Sequence, residues 1–287
     1  MSRVEDIVRT VAEAAPDVRA GLPGRRIPVD EENPTGDVQL AADVWADELL
    51  AERLTALDAV GSYASEEREA VVDAGGVAAG ERYAVAVDPL DGSSNLRSNN
   101  PMGTVFAVYD APLPARGRDL VAAGFVLYGP ITTMVVAHDG RVTESVVEAD
   151  GSRRVVDDDL RLPEEPVVYG FGGRVPDWPE DVATFVHELE RELKLRYGGA
   201  MIADVSQVLT YGGVFAYPEL ETAPNGKLRV QFEANPIAFV VETAGGASTD
   251  GTGSLLGVEP TELHQRTPMY VGNRELIERR EAVGRSA

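Results

Sequence analysis

An eight-residue string, Asp88 to Asn95, combines two carboxylates with small polar residues. It follows the apolar segment Tyr83–Val87 and has the sequence Asp-Pro-Leu-Asp-Gly-Ser-Ser-Asn. Pro89 and Gly92 favour a tight turn, in which both carboxylates and an intervening carbonyl can face one point. Such hard oxygen ligands suit Mg²⁺ or Mn²⁺. Because the N–H groups and hydroxyls that follow can cradle a phosphate, the string predicts a metal–phosphate site rather than a plain β-turn.

Acidic residues on two other segments indicate a metal centre built from several parts of the chain. Glu66 and Glu67 follow the strand-like segment Val60–Ala64, and Glu233 ends the segment Leu228–Phe232. Taken alone, either position is typical of a solvated surface or an edge strand. A two-metal phosphatase needs carboxylates that converge from separate segments, and together with the two aspartates these glutamates supply them.

Lys227 is a candidate for binding a second phosphate. It is one of only two lysines in the chain, the other being Lys194. A dianionic phosphate favours Lys and Arg donors, and tyrosine hydroxyls add geometry. The alternative is a charged hairpin tip in Asn225-Gly226-Lys227, and the residues leave both interpretations open.

With these motifs, the chain resembles class I fructose-1,6-bisphosphatases, part of a metal-dependent sugar-phosphatase superfamily that includes inositol monophosphatases. The resemblance extends over about residues 38–275, with the motifs in family order and spacing. Inositol monophosphatases lack the stretch Pro224–Glu233, which therefore decides between the two. The motifs are Ser65-Glu66-Glu67, Asp88 to Asn95, Arg196-Tyr197, Tyr211-Gly212-Gly213, Tyr217-Pro218, Pro224 to Arg229, Glu233 to Pro236 and His264-Gln265-Arg266.

The resemblance implies a metal-dependent active site. It implies about two or three Mg²⁺ ions per site, with Mn²⁺ also suitable. The implied metal ligands are Glu66, Asp88, the Leu90 carbonyl, Asp91 and Glu233. The implied catalytic residues are Glu67, which activates the attacking water together with the upstream acid Glu48, and Asp43 on the element that closes over the metals.

The substrate contacts follow from the same resemblance. The 1-phosphate would be held by Asp91, Gly92, Ser93 and Ser94. The 6-phosphate and the sugar would be held by Tyr197, Tyr217, Lys227 and Arg229. Arg196 would reach the same phosphate from a neighbouring subunit of a homodimer or homotetramer. The family places an asparagine near Tyr169–Gly173, where this chain has Tyr-Gly-Phe-Gly-Gly.

The activity that the resemblance implies is hydrolysis of fructose 1,6-bisphosphate to fructose 6-phosphate and phosphate, a step of gluconeogenesis. One alternative is a broader phosphatase that also accepts sedoheptulose bisphosphate or inositol monophosphate. Another is a non-catalytic regulatory protein that binds sugar phosphates. The presence of every implied metal carboxylate argues against the regulatory protein.

The elements that must position these residues fall into two halves, with an expected boundary within residues 148–165. In the first half, the sequence predicts a helix that begins at residue 2, a loop at 16–36 and a second helix over about 38–57. These helices would pack on a largely antiparallel sheet. The second half predicts strands at 167–171, 213–217, 228–232 and 268–271, and helices at 178–194, 236–244 and 273–283. We therefore predict a layered sugar-phosphatase fold with an α+β domain, residues 1–160, that binds metal and phosphate. A smaller α/β domain, residues 161–287, would bind the sugar phosphate.

The composition of the chain excludes several classes of binding partner and indicates where in the cell the protein works. The net charge of −22 argues against nucleic acid and against an anionic membrane surface. The absence of cysteine excludes disulfides and thiolate chemistry. The start of the chain has no signal-peptide pattern, and Gly and Pro interrupt the longest apolar stretch, Val121–Ala137. We therefore expect a soluble cytoplasmic protein, and the resemblance implies that its partner is a small sugar bisphosphate.

An acidic, lysine-poor surface is typical of a protein that works in high salt, so we expect a halophilic archaeal source. We predict that the folded state is unstable in dilute buffer and stable in molar KCl, because ions screen the self-repulsion of the net charge of −22. Melting temperatures measured in both conditions check this. A melting temperature that does not change with salt would contradict it.

Overall fold

Two large β-sheets separated and flanked by helices, together with two two-stranded sheets, build the chain, which the computed structural model describes over residues 2–34, 36 and 38–284. The helices are α1 (Arg3–Gly21), α2 (Ala41–Thr55), α3 (Asn95–Ser98), α4 (Glu180–Leu189), α5 (Met201–Tyr211), α6 (Asn235–Thr243) and α7 (Arg274–Gly284). The strands are β1 (Pro28–Glu32), β2 (Val38–Leu40), β3 (Val60–Ser65), β4 (Val72–Asp73), β5 (Tyr83–Asp91), β6 (Met102–Tyr109), β7 (Leu120–Tyr128), β8 (Thr132–His138), β9 (Arg141–Val147), β10 (Arg153–Asp157), β11 (Val168–Phe171), β12 (Lys194–Leu195), β13 (Gly213–Tyr217), β14 (Leu228–Arg229), β15 (Ala247–Thr249), β16 (Arg266–Thr267) and β17 (Met269–Gly272). A π-helix, Val230–Ala234, lies between β14 and α6.

The larger sheet belongs to the first half of the chain. Its eight strands have the order β10-β9-β8-β7-β6-β5-β3-β4. All neighbours pair antiparallel except β3 and β5, which run parallel. Side chains alternate between the two faces of β5: Val85 and Val87 join the core under α1 and α2, whereas Ala84 and Ala86 join the opposite core. The prediction of helices on a largely antiparallel sheet is confirmed.

The one parallel pair in this sheet brings two acidic segments together. β3 and β5 are in register at Ser65 and Val87, and the Glu66 N–H donates to the Val87 carbonyl over 3.0 Å. The carboxyl ends of parallel strands lie at the same edge of a sheet. Glu66 is therefore placed beside Asp88.

The smaller sheet belongs to the second half and has the order β12-β11-β13-β17-β15. β11 runs parallel to β12 and β13, and β17 runs antiparallel to β13 and β15. α5 and α6 fill the space between the two sheets, and α4 and α7 pack on the outer face of the smaller one. This arrangement confirms the layered fold with a smaller α/β second half.

Several predicted boundaries were wrong. In the predicted loop 16–36, α1 continues to Gly21 in spite of Pro16, because its apolar face packs on the core, and β1 follows. Thr35 lies outside the described residues. The predicted helix 178–194 is limited to α4. α5 was not predicted, although its buried apolar residues recur at helical spacing.

The predicted strand 228–232 is also only partly correct, because it ends at Arg229 and continues as the π-helix. Buried hydrogen bonds fix this turn. The side-chain amide of Gln231 accepts from the Ala115 N–H over 2.8 Å and donates to the Ala115 carbonyl over 2.7 Å. The Tyr109 hydroxyl donates to the Gln231 carbonyl. π-helical turns are frequent at functional sites, and this one carries Glu233.

Candidate active site

One cavity of about 310 Å³ collects most of the predicted site residues. Within the described part of the chain, six carboxylates and two cationic side chains line this cavity. The lining residues are Asn33, Gln39, Asp43, Glu66, Glu67, Asp88, Leu90, Asp91, Gly92, Ser93, Ser94, Gly199, Met201, Tyr217, Lys227, Leu228, Arg229 and Glu233.

Three buried carboxylates at one end of this cavity form a candidate metal centre. Glu66, Asp88 and Glu233 each offer an oxygen atom, and these atoms all lie within 4.8 Å of one another. They come from the end of β3, from β5 and from the π-helix. A buried set of hard oxygen donors with this spacing fits a divalent cation.

The turn after Asp88 has the tight form that the sequence predicts. The Leu90 N–H donates to Asp88 Oδ1 over 2.9 Å, and the Ser93 N–H donates to the Leu90 carbonyl over 3.1 Å. Gly92 has φ +73°, and a Cβ atom there would lie 2.2 Å from Ala200 Cβ. Glycine therefore permits both the turn and its close approach to the start of α5.

Asp91 links this turn to the second half of the chain, because the Ile202 N–H at the start of α5 donates to Asp91 Oδ2 over 2.9 Å. The turn itself continues into the short helix α3, which Ser94 precedes. Four consecutive residues of this turn line the cavity: Asp91, Gly92, Ser93 and Ser94. The turn predicted from the sequence is thus formed, and it lines the same cavity as the carboxylates.

Burial makes the carboxyl groups of this cavity difficult to ionise. It raises the pKa of Glu66, of Asp91 and of Glu233 to about 7 each, with the neighbouring carboxylates adding to the effect. Burial also raises the pKa of Asp88 well above its usual range. Among the described residues, the carboxylates at this end of the cavity outnumber the cationic side chains. A bound divalent cation would compensate this excess of negative charge.

Glu67 and Asp43 line the same cavity as the three buried carboxylates. Burial raises the pKa of Glu67 to about 7, and the Asp43 carboxylate contributes to the shift. Gln39 donates a side-chain hydrogen bond to Glu67. Burial raises the pKa of Asp43 to about 6, and this carboxylate accepts from the Leu40 N–H at the start of α2. The structure therefore brings these two predicted catalytic acids together.

Glu48, the third predicted catalytic acid, is not part of this site. It is exposed on α2 and does not line the cavity. Five residues along a helix correspond to a rotation of about 140°, so Glu48 and Asp43 lie on different faces. The buried acid in this turn of α2 is Asp47, which accepts from Arg68 Nε over 2.7 Å and from the Tyr63 hydroxyl over 3.0 Å.

Arg229 lies among the carboxylates rather than with the predicted 6-phosphate contacts. Its Nη1 atom is 2.8 Å from Glu66 Oε1 and 3.7 Å from Glu233 Oε2, and its side chain is 6% exposed. A guanidinium so enclosed partly compensates the buried negative charge. Arg229 thus belongs to the acidic cluster, and its contact with the distal phosphate stays a prediction.

Lys227, Tyr217 and Tyr197 form a second end of the site. Lys227 Nζ lies 5.9 Å from the centre of the Tyr217 ring, and the hydroxyls of Tyr217 and Tyr197 are 3.0 Å apart. Tyr197 reaches the cavity through this contact and does not line it directly. Arg196 is exposed and donates to Gln207 Oε1, so a contact with a substrate of a neighbouring subunit stays a prediction.

Sequence reasoning missed five lining residues that the tertiary structure supplies: Asn33, Gln39, Gly199, Met201 and Leu228. Gln39 contacts Glu67, and Asn33 approaches Glu66 Oε1 at 3.5 Å. Both belong to the segment around the turn-rich sequence Asn-Pro-Thr-Gly, whose polar turn residues were the available signal. Gly199 and Met201 reach the cavity because α5 begins beside the Asp91 turn.

Comparison with known proteins assigns the chain to a family. It is 65% identical over 279 residues to a fructose-1,6-bisphosphatase class 1 of Natronomonas pharaonis, covering 97% of this chain and 98% of that protein. The chain belongs to the fructose-1,6-bisphosphatase class 1 family. A relative of the same description from Halobacterium salinarum is 61% identical over 274 residues, covering 96% of this chain and 94% of that protein. Both organisms are halophilic archaea, which agrees with the interpretation of the acidic composition.

The family domains and solved structures agree with this membership. The fructose-1-6-bisphosphatase N-terminal and C-terminal domain descriptions match residues 19–153 and 162–285. The crystal structure of Leishmania major fructose-1,6-bisphosphatase in holo form is similar, with a TM-score of 0.89, 28% identity and coverage of 98% of this chain and 93% of that one. Class 1 fructose-1,6-bisphosphatases are metal-dependent, and the buried acidic cluster fits that requirement. No helix in the described ranges is long and apolar enough to span a membrane.

The raised pKa values of the cluster predict how stability depends on pH without divalent cations. From about pH 4 to about pH 7, the folded state keeps protons on Glu66, Asp91 and Glu233 that the unfolded state has lost. The stability due to these groups is therefore lost as the pH rises through their folded pKa values. We expect the melting temperature in EDTA and molar KCl to fall from about pH 5.5 to about pH 8.

Addition of MgCl₂ at the higher pH should restore much of this loss, because a bound cation takes the place of the protons. The variant Glu233→Gln, which removes one of the ionising groups, should show a smaller fall in EDTA. A melting temperature that rises over this pH range in EDTA would contradict the electrostatic description of the cluster.

Proposed function

We propose that the chain hydrolyses the 1-phosphate of fructose 1,6-bisphosphate and releases fructose 6-phosphate and phosphate, with Mg²⁺ as the preferred cation. The observation that carries the proposal is one cavity with a carboxylate cluster, the Gly92–Ser94 turn, and the Lys227–Tyr217 end. Relatives at 65% and 61% identity carry the name of this activity. The predicted domain 1–160 would then supply most of the reacting end. The predicted domain 161–287 would supply the distal end and would add Glu233 to the reacting end.

Glu66, Asp88, Asp91, Glu233 and the Leu90 carbonyl would hold the cations. Mn²⁺ suits the same oxygen set, and about two or three ions would balance the charge. When bound, divalent cations polarise the phosphoryl oxygens and lower the pKa of a coordinated water. Arg229 keeps the orientation of Glu66 and Glu233 through its ion pairs.

Glu67 is the group we assign to proton removal from the attacking water. Its pKa of about 7 is suited to a general base near neutral pH. The Gln39 side chain orients the carboxylate through its hydrogen bond, and the carboxyl of Asp43 lies close enough to affect its ionisation. The water oxygen bonds to phosphorus as the bond between phosphorus and the O1 atom of the sugar breaks. Glu67 takes one proton from the attacking water, O1 takes a proton from solvent water as it leaves, and Glu67 then returns its proton to solvent.

The Gly92–Ser94 turn would orient the reacting phosphate. Its backbone N–H groups and hydroxyls are the donors that phosphate oxygens accept, and the turn is rigidly attached to α5 through Asp91. Ser93 also contacts the Asp43 carboxylate, so the phosphate turn and the start of α2 are held together.

Lys227, Tyr217 and Tyr197 would bind the 6-phosphate, which is held but not transformed. An ammonium group supplies charge, and two hydroxyls 3.0 Å apart supply directed donors. Arg196 of a second copy would add a guanidinium to this end, in a homodimer or homotetramer. Fructose-1,6-bisphosphatase structures are oligomeric, which is consistent with this part of the proposal.

Phosphate release tests the proposal and its alternative. In molar KCl with MgCl₂, we expect release from fructose 1,6-bisphosphate to exceed that from sedoheptulose bisphosphate and from inositol 1-phosphate. Asp91→Asn should abolish turnover, because a neutral amide cannot replace an anionic ligand. A variant that keeps more than about a tenth of the wild-type rate would disprove the metal assignment. If inositol 1-phosphate is hydrolysed as fast as fructose 1,6-bisphosphate, the alternative of a phosphatase with broader substrate specificity is favoured.

The two lysines offer a matched pair of variants for the distal end. Lys227→Ala should raise the KM for fructose 1,6-bisphosphate by about tenfold or more with a smaller effect on kcat. The reason is that Lys227 would bind the distal phosphate equally well in the substrate and in the transition state. Lys194→Ala, on the exposed edge strand β12, should leave both constants unchanged. A large fall in kcat with an unchanged KM would instead place Lys227 at the reacting phosphate.

A further inference from the structure

The pairing of β5 with β6 is interrupted at the turn that carries the candidate metal ligands. The register of this pair shifts between Asp88 and Asp91. Two residues of β5, Pro89 and Leu90, there lie opposite one residue of β6, Thr104. Such a β-bulge leaves a residue out of the ladder of backbone hydrogen bonds, and bulges are frequent beside active sites. Buried backbone groups at the bulge therefore need partners from outside the ladder.

The hydroxyl of Thr104 is one such partner. Thr104 is 1% exposed, and its Oγ1 atom donates to the Pro89 carbonyl over 2.9 Å. The Tyr128 hydroxyl on β7 lies 2.9 Å from the same Oγ1 atom. Because a threonine hydroxyl has a single proton, Tyr128 donates this second bond and Thr104 accepts it. Tyr128 thereby fixes the direction in which the Thr104 hydroxyl donates.

The bond from Thr104 acts on a rigid unit, the peptide group between Pro89 and Leu90. The carbonyl of this peptide accepts from Thr104, and its N–H, that of Leu90, donates to Asp88 Oδ1 over 2.9 Å. Since a peptide group is planar, rotation of its carbonyl also rotates its N–H. A hydrogen bond at one end of the peptide therefore maintains the hydrogen bond that orients the Asp88 carboxylate at the other.

We propose that Thr104, oriented by Tyr128, is a positioning residue of the metal centre, because it locks the peptide that holds the Asp88 carboxylate beside those of Glu66 and Glu233. Neither Thr104 nor Tyr128 lines the cavity, so both act through the β5 turn rather than on a cation or substrate. The inference rests on the part of the proposed function in which the carboxylate cluster binds divalent cations. Without the Thr104 hydroxyl, the peptide can rotate, and Asp88 loses its fixed N–H donor.

Thr104→Val tests this role, because valine keeps the shape of the side chain and removes the hydroxyl. Cation binding is measured without substrate, in molar KCl, from the electron paramagnetic resonance signal of free Mn²⁺. We expect the affinity for the first Mn²⁺ ion to fall by about tenfold or more, the loss typical of a residue that holds a metal ligand in place. Thr104→Ser, which keeps the hydroxyl, should restore the affinity.

Thr10→Val is the matched control. Thr10 is also buried, and its Oγ1 atom donates to the Asp6 carbonyl over 2.9 Å, but it lies on α1 and does not line the cavity. Each valine variant should lower the melting temperature in EDTA, because each loses a hydrogen bond between a hydroxyl and a carbonyl. Only Thr104→Val should weaken Mn²⁺ binding, which a merely structural role would leave unchanged in the folded protein.

Tyr128→Phe tests the second bond of the pair. It keeps the ring and removes the hydroxyl that orients Thr104, so Mn²⁺ binding should weaken, by a smaller factor than in Thr104→Val. An unchanged Mn²⁺ affinity in folded Thr104→Val would overturn the positioning role, and so would an equal loss in Thr10→Val. If Thr104→Val does not fold, Tyr128→Phe decides, and an unchanged affinity in that variant overturns the role.

Failure of the proposed function would be seen differently, in the wild-type protein. Wild-type protein that binds Mn²⁺ but releases no phosphate from fructose 1,6-bisphosphate would overturn the activity, and the comparison of Mn²⁺ affinities would still decide the role of Thr104. Wild-type protein that binds no Mn²⁺ would overturn both the metal assignment and the positioning role.

Discussion

Mutual repulsion among buried carboxylates is the interaction on which the rest of this structure depends. Within the described residues, six carboxylates line one cavity, and burial raises the pKa of most of them to about 6 or 7. Like charges in a poorly solvated space repel strongly, so the groups stay together only because rigid elements hold them. The end of β3, the β5 turn and the π-helix perform this task. Strand pairing fixes the end of β3, and hydrogen bonds from backbone N–H groups to side chains fix the other two. A cation that binds there repays part of the cost of folding.

The short extended segment before the π-helix connects the two ends of the site. Residues two apart in a strand face the same side and are separated by about 6–7 Å. Lys227 and Arg229 consequently both line the cavity, yet they have different neighbours. Arg229 pairs with Glu66 and Glu233, whereas Lys227 lies beside the Tyr217 ring. One segment thus holds Arg229 in the acidic cluster and Lys227 beside the Tyr217 ring at a fixed separation.

Much of the site could be predicted from the sequence because its signals are local. The turn from Asp88 to Asn95 depends on Pro89, Gly92 and the carboxylate spacing, and these are visible in eight consecutive residues. The layered fold follows from apolar periodicity in strands and helices, and from the motif order that the family shares. The wrong prediction for Glu48 has a different origin. The segment from Asp43 to Glu48 contains three acidic residues, and only Asp43 lines the cavity. Which acid faces the cavity depends on how α2 is rotated about its axis, and the sequence does not show that rotation.

The sequence by itself determined the family, the layered α and β architecture, the acidic character of the chain and the residue types of the turn from Asp88 to Asn95. The tertiary structure alone decided which acids meet, because convergence depends on the parallel pairing of β3 with β5 and on the π-helix at Glu233. It also placed Arg229 among the carboxylates and the Tyr128 hydroxyl against Thr104 beside the β5 turn. These contacts join residues distant in the chain, and no local pattern encodes a distance between segments that only folding brings together.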